Sequence, residues 1–501
     1  MAPTTPPSAR QTESVARVSA DLPAERIAQL KSLFPDVFVE GKIDFDRLRA
    51  MLGEHVATGA ERFTFSWAGR SDALAMLQTP SRATLVPVPD ESVNFDTTRN
   101  LFVEGDNLEV LKLLYKAYHQ KVKLIYIDPP YNTGQDFVYP DDFRDPLAAY
   151  LQMTGQTDAA GNLMTSNPET SGRYHSAWLS MMYPRLFLAR QLLRDDGVIF
   201  VSIDDHEVHH LRMLMNEVFG EENFVATLIW QKMDSPSRND EERAVSDYHD
   251  YIVVYARDKN SVGLAPKNKP EILEGYRMKL KNGQFARARQ LRKNGKGARR
   301  EDRPTMWFGL LAPDKTEVFP VAPEGWEGRW VLSRETWEER ERAGLTQWVK
   351  REYGWVPYYL EIAPDEPTVP WATILANVDQ NRQAKAGFTE IMGSSVEFTN
   401  PKPVNLIKTF LRMGCGPEDI CMDFFAGSCS AAQAVLELNR EDGGSRRFVM
   451  VQLPEPATGH DSKQASKQAS ANGMPNHRRY RQRTHSPSHR ETQERNREFA
   501  A

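Results

Sequence analysis

Short apolar strands and amphipathic helices alternate along the chain from residue 100 onward, and this alternation restricts the fold more than any other feature of the sequence. A short apolar strand at 101–103 precedes an amphipathic helix at 107–119, and a continuous apolar strand follows at 122–127. The pattern continues with a helix, a strand and a second helix at 174–193, 197–203 and 207–219. Such alternation predicts an α/β fold with a mostly parallel sheet, in which functional groups lie at the carboxyl ends of the strands.

The chain of 501 residues is longer than a single hydrophobic core usually organises, so two or more domains are expected. The alternation stops near residue 231, where an irregular stretch rich in Trp, Tyr, Arg and Gly begins, and it resumes at 419–424. We interpret the irregular stretch as an inserted domain. The predicted organisation is a disordered N-terminus at 1–25, a helical lead-in at 26–95, two halves of the α/β domain at 96–230 and 400–456, the insert at 231–399 and a low-complexity tail at 457–501.

The composition indicates a soluble globular protein, with 40% hydrophobic and 26% charged residues and a net charge of -5. No apolar run approaches the roughly 20 residues that a membrane span needs, and the N-terminal stretch lacks the apolar core of a signal peptide. The predicted location is therefore the cytoplasm. Cys415, Cys421 and Cys429 are odd in number and lack the paired spacing of a zinc site, so neither disulfides nor a metal is predicted.

The strand at 122–127 ends in Asp128-Pro129-Pro130-Tyr131, which combines a carboxylate, a stiff turn and an aromatic ring. An exocyclic amine offers two hydrogens, and the Asp128 carboxylate and the Pro129 carbonyl could each accept one of them. The Tyr131 ring could stack on a nucleobase that has left its helix, as enzymes that modify DNA bases require. The alternative interpretation is a proline-rich turn that only ends a strand.

A second motif, Asp423-Phe424-Phe425-Ala426-Gly427-Ser428-Cys429-Ser430, forms a tight turn between a strand and a helix. Its small residues let a cofactor approach the backbone and the amino terminus of the helix, where N–H groups and the helix dipole favour anionic groups. By itself the motif is equally compatible with an ordinary turn between a strand and a helix.

The order of the two motifs, one before and one after the insert, resembles the permuted arrangement of the β group of DNA amino-methyltransferases. Further matches are Gly105-Asp106-Asn107, Asn132-Thr133-Gly134, the stretch 178–193, Ser202-Ile203-Asp204-Asp205 and Asn400-Pro401-Lys402-Pro403. Together they are similar to the modification subunits of type III restriction systems, over residues 26–456. The resemblance implies a Rossmann-like S-adenosylmethionine-dependent methyltransferase sheet with circularly permuted motifs and an inserted target-recognition domain.

The resemblance also implies roles for individual residues. Catalysis and base holding fall to Asp128, Pro129, Pro130 and Tyr131. Binding of S-adenosyl-L-methionine falls to a larger set: Asp106, Lys402, Pro403, Asp423, Phe425, Ala426, Gly427, Ser428 and Gln452. Within this set, Lys402 and Pro403 match the segment that closes over the methionine end of the cofactor, and Asp106 is equally compatible with a helix N-cap.

Two positions depart from the pattern of the family. Cys429 stands where relatives commonly have glycine, so its side chain intrudes where the backbone usually passes close to the cofactor, and we expect weaker cofactor binding. Gln452 stands where a carboxylate commonly holds the ribose hydroxyls, and its amide can still form hydrogen bonds. We interpret Gln452 as variation within the family.

The implied activity is site-specific N6 methylation of adenine in double-stranded DNA. Cytosine-N4 methylation uses the same loop chemistry, but Ser more often precedes Pro-Pro-Tyr in that class, so Asp128 favours adenine. A DNA-binding relative that has lost catalysis is the second alternative. DNA cleavage would need a separate restriction subunit with helicase and nuclease functions, and a homodimer is compatible with the resemblance.

A strongly basic segment lies in the insert at 277–300, with ten Lys or Arg and no Asp or Glu. Such a segment suits contacts with DNA phosphates, which supply affinity but little sequence information. The candidate DNA contacts are Arg287, Arg289, Arg292 and Lys293, and a solvated basic loop is the alternative. Most of the tryptophans of the insert are expected to build its own core: Trp307, Trp326, Trp330, Trp337, Trp348 and Trp355.

The tail after Pro456 departs from the globular pattern and contains two near copies of Ser-Lys-Gln-Ala within 462–470. A shifted reading frame from Asn476 onward permits the translation TIADIGKERIRRHIAKLKKEIE, a helical sequence that resembles the continuation of the family after its last matched strand. We hypothesise that a frameshift near the repeat replaced the native C-terminal helix. Sequencing of the gene tests this hypothesis, because an interrupted shifted frame downstream of the repeat would contradict it.

Overall fold

The computed structural model of the chain describes residues 22–39, 42–52, 64–133, 172–235, 245–393, 400–453 and 478–483. The chain divides into two compact units, of which the first comprises Met1–Ala265 and Ala372–Ala501 and the second comprises Pro266–Trp371. Within the described ranges, no helix is both long enough and apolar enough to cross a membrane.

The helices of the described residues follow the periodicity of the sequence closely in the first unit. Their bounds are α1 Leu22–Leu33, α2 Phe45–Leu52, α3 Arg70–Gln78, α4 Asn107–Tyr118, α5 Gly172–Leu192, α6 Val208–Phe219, α7 Arg334–Arg342, α8 Asn381–Met392, α9 Val404–Gly414 and α10 Ser430–Asp442. Only α7 belongs to the second unit. The helical lead-in expected at 26–95 is represented by α1 to α3, which are accompanied by short strands.

The strands of the described residues form one large sheet and several small ones. Their bounds are β1 Phe38–Val39, β2 Lys42–Ile43, β3 Thr84–Pro87, β4 Leu101–Glu104, β5 Val122–Ile127, β6 Leu193–Ile203, β7 Phe224–Gln231, β8 His249–Ala256, β9 Lys267–Asn268, β10 Met278–Lys279, β11 Phe285–Gln290, β12 Leu310–Leu311, β13 Glu317–Val318, β14 Thr346–Arg351, β15 Gly354–Ile362, β16 Thr368–Val369, β17 Ile374–Leu375, β18 Ile420–Asp423, β19 Arg447–Gln452 and β20 Arg478–Arg483.

Among the described residues, the large sheet has ten strands in the order β17-β7-β8-β6-β5-β18-β19-β4-β20-β3. All pairs from β6 to β20 across its centre are parallel, whereas β8 runs antiparallel to β6 and β7 and β3 runs antiparallel to β20. All six residues of β5 are buried, as expected of a parallel strand that is covered on both faces. The predicted α/β fold with a mostly parallel sheet is thereby confirmed.

Helices cover both faces of this sheet. Successive side chains of a strand point to opposite faces, so one strand contacts both helical layers. On one face, Ile125 and Ile127 of β5 join a core cluster that includes residues of α4, α5 and α6. On the other face, Tyr126 and Phe200 pack their rings against Phe410 of α9. The sheet therefore forms the middle layer of three, and the ends of its central strands are left for the site.

The second unit is shorter than the insert that the sequence predicts at 231–399. Strands β8 and β17 and helix α8 lie within that range, but they belong to the first unit. β8 pairs with both β6 and β7, and β17 pairs with β7, so these segments extend the large sheet. The run from Tyr251 to Ala256 is apolar enough for a buried strand, although its surroundings in the sequence are irregular.

The second unit contains a four-stranded antiparallel sheet in the order β10-β11-β15-β14. Trp330 and Trp337 are buried in its core together with Leu291 and Leu310, and Trp348 packs against them. These three tryptophans take the structural role that the sequence indicates for most of the six.

The low-complexity tail contributes one strand to the described residues. β20 pairs in parallel with β4 and antiparallel with β3 at one side of the large sheet. The low-complexity pattern does not predict this strand. The rest of the segment 457–501 lies outside the described residues, and the frameshift hypothesis stays a prediction.

Candidate active site

The two motifs that the sequence singles out lie at the same edge of the large sheet. β5 and β18 are parallel neighbours, with Leu124 opposite Cys421 and Ile125 opposite Met422. The loop that follows β5 and the turn that follows β18 therefore leave the sheet side by side at its carboxyl edge. The two motifs are far apart in the sequence, and the pairing of β5 with β18 brings them together.

The loop after β5 is held by hydrogen bonds at several of its atoms. The Tyr131 hydroxyl lies 3.0 Å from Asp128 Oδ1, and the Trp178 indole Nε1 donates to the Pro130 carbonyl at 2.7 Å. The next residue, Asn132, has a φ of +63°, in the left-handed region that asparagine tolerates better than most residues. The loop thus has a defined conformation in which the Asp128 side chain remains about one quarter exposed.

A buried charge cluster adjoins this loop and includes Asp250 of β8, which the sequence did not single out. Lys402 Nζ lies 3.3 Å from Asp128 Oδ1, 3.2 Å from Asp250 Oδ2 and 2.5 Å from the Tyr131 hydroxyl oxygen. Asp250 Oδ2 also lies 3.2 Å from the Tyr131 hydroxyl, and Asp250 Oδ1 accepts a hydrogen bond from Lys232 Nζ at 2.9 Å. Two lysines and two aspartates therefore meet at the loop formed by Asp128 to Tyr131.

The electrostatic environment shifts the pKa values of the two carboxylates, Asp128 and Asp250, in opposite directions. Burial raises the pKa of Asp128 above its ordinary value, and the Lys402 ammonium only partly opposes this rise. Burial also acts to raise the pKa of Asp250, but Lys402 and Lys232 outweigh it and hold that pKa below the usual range. The pKa of Lys402 is raised, since Asp128 and Asp250 outweigh the effect of its burial. Asp250 is thus the firmly ionised partner of both lysines.

Lys402 contacts the loop formed by Asp128 to Tyr131, whereas the family resemblance assigns it to the cofactor segment. Its Nζ lies 4.7 Å from the centre of the Tyr131 ring, within cation–π distance. Pro403 immediately precedes α9, and its carbonyl accepts a hydrogen bond from the Leu406 backbone N–H at 3.1 Å. Because α9 packs against β5, its beginning carries Lys402 toward the end of that strand.

The turn after β18 is fixed by backbone hydrogen bonds from its small residues. Asp423 Oδ1 accepts from the Phe425 N–H at 2.9 Å, and the Ala426 N–H donates to the Val451 carbonyl at 3.1 Å. Gly427 has a φ of +50° and donates its N–H to Gln452 Oε1 at 2.7 Å. Gln452 therefore holds the turn itself, which is a role that the sequence did not predict.

Asp423 is buried at the start of this turn, and its burial raises its pKa well above the ordinary value of an aspartate. Asp128 adds to the rise through its negative charge. The two motifs are therefore coupled electrostatically as well as adjacent in the sheet.

Cys429 adopts the left-handed conformation that its glycine counterpart would favour, with φ +61° and ψ +27°. Its side chain is buried and directly precedes α10, whose first residue is Ser430. The Ser428 and Ser430 hydroxyl oxygens lie 3.0 Å apart at this helix terminus. The turn thus accommodates the Cβ and sulfur, at the cost of a backbone conformation that residues other than glycine adopt reluctantly.

Asp106 caps α4, because its Oδ1 accepts a hydrogen bond from the Glu109 N–H at 3.0 Å. Its other oxygen lies 3.4 Å from a guanidinium nitrogen of the buried Arg185. The neighbouring Asn107 donates through Nδ2 to the Phe424 carbonyl at 2.8 Å and so ties α4 to the turn after β18. Asp106 therefore serves as a helix cap next to the turn after β18.

Residues 122–469 match the model of a protein family described as DNA methylase. The chain belongs to this family. The match begins at β5 and includes both motifs and the cluster around Lys402.

Relatives of this methylase include modification subunits of type III restriction-modification enzymes. It is 32% identical over 464 residues to the EcoPI Mod subunit of Escherichia phage P1, with 86% of this chain and 70% of that protein covered. It is 33% identical over 467 residues to the StyLTI Mod subunit of Salmonella typhimurium, with 89% and 68% covered. The type II methyltransferase M.KpnI of Klebsiella pneumoniae is 30% identical over 383 residues, with 72% and 82% covered.

Two of the four candidate DNA contacts in the methylase's second unit, Arg287 and Arg289, share one carboxylate. Arg287 Nε and Arg289 Nε lie 2.8 Å and 2.9 Å from Glu361 Oε2, across the pair of β11 and β15. Arg292 lies over the Trp326 ring at 5.7 Å, and the Lys293 backbone N–H donates to the Arg329 carbonyl at 2.9 Å. Part of the basic segment is therefore the strand β11. Because Glu361 carries one negative charge, Arg287 and Arg289 together have an excess of one positive charge.

Proposed function

We propose that this DNA methylase transfers the methyl group of S-adenosyl-L-methionine to N6 of adenine at a specific site in double-stranded DNA, as the modification subunit of a type III restriction-modification system. The observation that carries the proposal is the Asp128 loop beside the Asp423 turn at one edge of the sheet. The Mod relatives align with most of this chain, and their names support the type III assignment. In such a system, a separate restriction subunit is the partner.

The residues at the edge of the sheet fit such a cofactor. The carboxyl oxygens of Asp106 and Asp423 can accept hydrogen bonds from the methionine end, and the small side chains of Ala426 and Gly427 leave room for it beside the turn. Phe425 and the Ser428 hydroxyl lie in the same turn, next to the amino terminus of α10. When bound, the cofactor supplies a methyl group on a sulfonium that an amine nitrogen can attack.

The catalytic loop supplies what an amino group needs before it can act as a nucleophile. The Asp128 carboxylate and the Pro129 carbonyl accept hydrogen bonds from the two amine hydrogens, which draws the nitrogen lone pair out of conjugation with the ring, and the proton that the amine loses on methylation leaves through the hydrogen bond to Asp128. The Tyr131 ring stacks on the base, which must leave the duplex to reach the loop. The contact from Trp178 to the Pro130 carbonyl keeps the turn in place for this purpose.

The Lys402 ammonium lies against both groups that the base would use, the Asp128 carboxylate and the Tyr131 ring. Entry of the base requires this ammonium to leave Asp128, and Asp250 is the carboxylate that retains it. Lys232, which holds the other oxygen of Asp250, fixes that anchor in place. In this proposal Asp250 is a positioning residue and Asp128 a catalytic one.

The function is tested by the identity of the methylated base. Purified protein is incubated with labelled S-adenosyl-L-methionine and unmodified plasmid DNA, and the DNA is then digested to nucleosides and separated. We expect the label in N6-methyldeoxyadenosine, and none when the plasmid comes from a host that already expresses this chain. Label in N4-methyldeoxycytidine would contradict adenine as the target, and DNA binding without any label would favour a relative that has lost catalysis.

The role of the basic strand is tested by the salt dependence of DNA binding. We expect Glu361→Gln to tighten binding at low salt and to steepen the plot of log K against log salt by about one unit, because it releases one positive charge at Arg287 and Arg289 for phosphate contact. The matched control is Glu338→Gln, the same change of charge at an exposed position on α7. Equal slopes for the two variants would remove this strand from the DNA-binding surface. Neutral replacements of Arg292 and Lys293 extend the test to the other two candidates.

A further inference from the structure

Glu207 is a fully buried carboxylate at the beginning of α6, outside the two motifs of the site. Its Oε1 lies 2.6 Å from His175 Nδ1, and its Oε2 lies 2.8 Å from His210 Nδ1. Among the described residues, no ion pair with a lysine or arginine is found for this carboxylate. Burial of a carboxylate is unfavourable unless hydrogen bonds satisfy its oxygens, so these partners are needed for its placement.

The third partner of Glu207 is the residue that directly follows the catalytic loop. Asn132 Nδ2 lies 2.6 Å from Glu207 Oε1 and 3.2 Å from the Tyr174 carbonyl. Asn132 has a positive φ, so the chain makes a sharp turn there after Tyr131. A residue in the left-handed region persists where its surroundings hold it, and here the holding group is the Glu207 carboxylate.

The beginning of α5 provides a second attachment for the same loop. Trp178 donates to the Pro130 carbonyl at 2.7 Å, and His175 lies one helical turn earlier and contacts Glu207. The loop is therefore held on both sides of Tyr131, by Trp178 at Pro130 and by Glu207 at Asn132. Both attachments are built on helices of the same layer, α5 and α6.

The same three side chains, His175, Glu207 and His210, have the composition of a metal site, and their ligand atoms lie within 4.8 Å of one another. Donor atoms on a tetrahedral zinc ion, at bond lengths of about 2.0–2.1 Å, stand roughly 3.3 Å apart. The nitrogen–oxygen distances of 2.6 Å and 2.8 Å are shorter and match hydrogen bonds. The geometry favours a hydrogen-bonded network that needs no ion.

We propose that Glu207 is a positioning residue for methyl transfer, which acts through Asn132 to hold Tyr131 and the rest of the catalytic loop, while His175 and His210 satisfy its carboxylate. The inference rests on the proposed function, because the loop is assigned its role there. Small displacements of groups that orient a substrate can reduce turnover about a hundredfold. The network would thus affect turnover without touching the base or the cofactor.

The variant Glu207→Gln tests this proposal with almost no change in shape. The negative charge is removed, and the remaining amide oxygen is a weaker acceptor for Asn132 Nδ2 than a carboxylate oxygen. We expect kcat to fall about 10-fold to 100-fold, with the KM for S-adenosyl-L-methionine changed less than twofold. The matched control is Glu217→Gln on the same helix, where the carboxylate pairs with Arg70 at the surface, and we expect its kcat to equal that of the wild type.

A double-mutant comparison separates positioning from general loss of structure. In the Asn132→Ala background, Glu207→Gln should lower kcat by less than threefold further, because the link is already broken. Equal and independent losses in the two backgrounds would contradict the proposal, as would an unchanged kcat for Glu207→Gln alone. Zinc that stabilises the wild type but not Glu207→Gln would also overturn it and identify a metal site.

A readout that needs no turnover distinguishes this proposal from the proposed function. The indole N–H resonance of Trp178, assigned with Trp178→Phe, reports the hydrogen bond to Pro130. It should shift in Glu207→Gln and stay unchanged in Glu217→Gln. A wild type that shows this pattern but methylates no DNA would refute the proposed function and leave the network supported, whereas an unshifted resonance in Glu207→Gln would refute the network.

Discussion

Replacing Asp128 by Asn should reduce methyl transfer by about 10²-fold to 10⁴-fold, the range that a positioned proton acceptor contributes. The amide keeps the shape of the carboxylate, but it has only one oxygen that accepts hydrogen bonds, and its NH₂ group only donates them. Binding of S-adenosyl-L-methionine should persist, because Asp128 belongs to the loop after β5 and not to the turn after β18. Single-turnover methylation together with equilibrium binding of the cofactor measures both quantities.

The folded state should tolerate Asp128→Asn well. Lys402, which would lose one partner, keeps its contact with Asp250 at 3.2 Å. Burial raises the pKa of Asp128, which means that the ionised form is less favoured in the fold than in water, so a neutral side chain at this position carries little penalty. We expect a change in the melting temperature of a few degrees at most.

A matched control for this variant is Asp205→Asn, at the carboxyl end of the neighbouring strand β6. Asp205 is exposed and accepts a hydrogen bond from the Tyr251 hydroxyl at 2.8 Å. It lies near the same edge of the sheet but outside the charge cluster. The turnover of Asp205→Asn should therefore stay near that of the wild type. Comparable losses in the two variants, or turnover of Asp128→Asn within tenfold of the wild type, would remove Asp128 from its catalytic role.

The two motifs of the site could be predicted from the sequence because each lies at the end of an apolar strand. The residues that support them could not be predicted in this way. Asp250 lies 119 residues from Tyr131 and 152 residues from Lys402, and only the pairing of β8 with β6 brings it to the loop. A charged residue next to an apolar run was the one available signal, and it lay inside the predicted insert.

The limits of the insert illustrate the same difficulty. An antiparallel strand such as β8 interrupts the strand–helix alternation, so the sequence pattern ends where the large sheet still continues. The position of Glu207 cannot be predicted for a related reason, since its partners His175 and Asn132 come from other segments of the chain. The support that the Gln452 side chain gives to the turn at Gly427 likewise joins two separate segments. Tertiary pairing decides these roles, and periodicity does not report it.

Replacing Asp250 by Asn should destabilise the protein more than any other single change of charge considered for this site. The Asp250 side chain is only 4% exposed and accepts from Lys402 and Lys232, whose side chains are 10% and 15% exposed. Removal of one member of a buried ion pair leaves its partner uncompensated and costs about 3–5 kcal/mol. Since Asp128 and Asp247 remain near the lysines, we expect about 3 kcal/mol, measured by urea denaturation at pH 7.

The control is Asp247→Asn, which removes the other carboxylate of Lys232. Asp247 is 45% exposed, and its contact with Lys232 Nζ at 2.7 Å is that of a surface ion pair. Such pairs contribute about 0.2–1 kcal/mol, so this variant should stay close to the wild type. Equal destabilisation by the two variants would show that burial of Asp250 between the lysines does not govern the stability of the cluster.

The pH dependence provides an independent check of the same cluster. The pKa of Asp250 is lower in the folded chain than its ordinary value of 3.8, because the two lysines outweigh its burial. A carboxyl group with a depressed folded pKa contributes stability above its unfolded pKa and loses that contribution as the pH falls through the folded value. The difference in unfolding free energy between wild type and Asp250→Asn should therefore be constant from about pH 6 to 8 and shrink below about pH 4. A difference that persists undiminished in acid would mean that the lost shape or hydrogen bonding of the side chain is responsible, and that the charge of Asp250 is not.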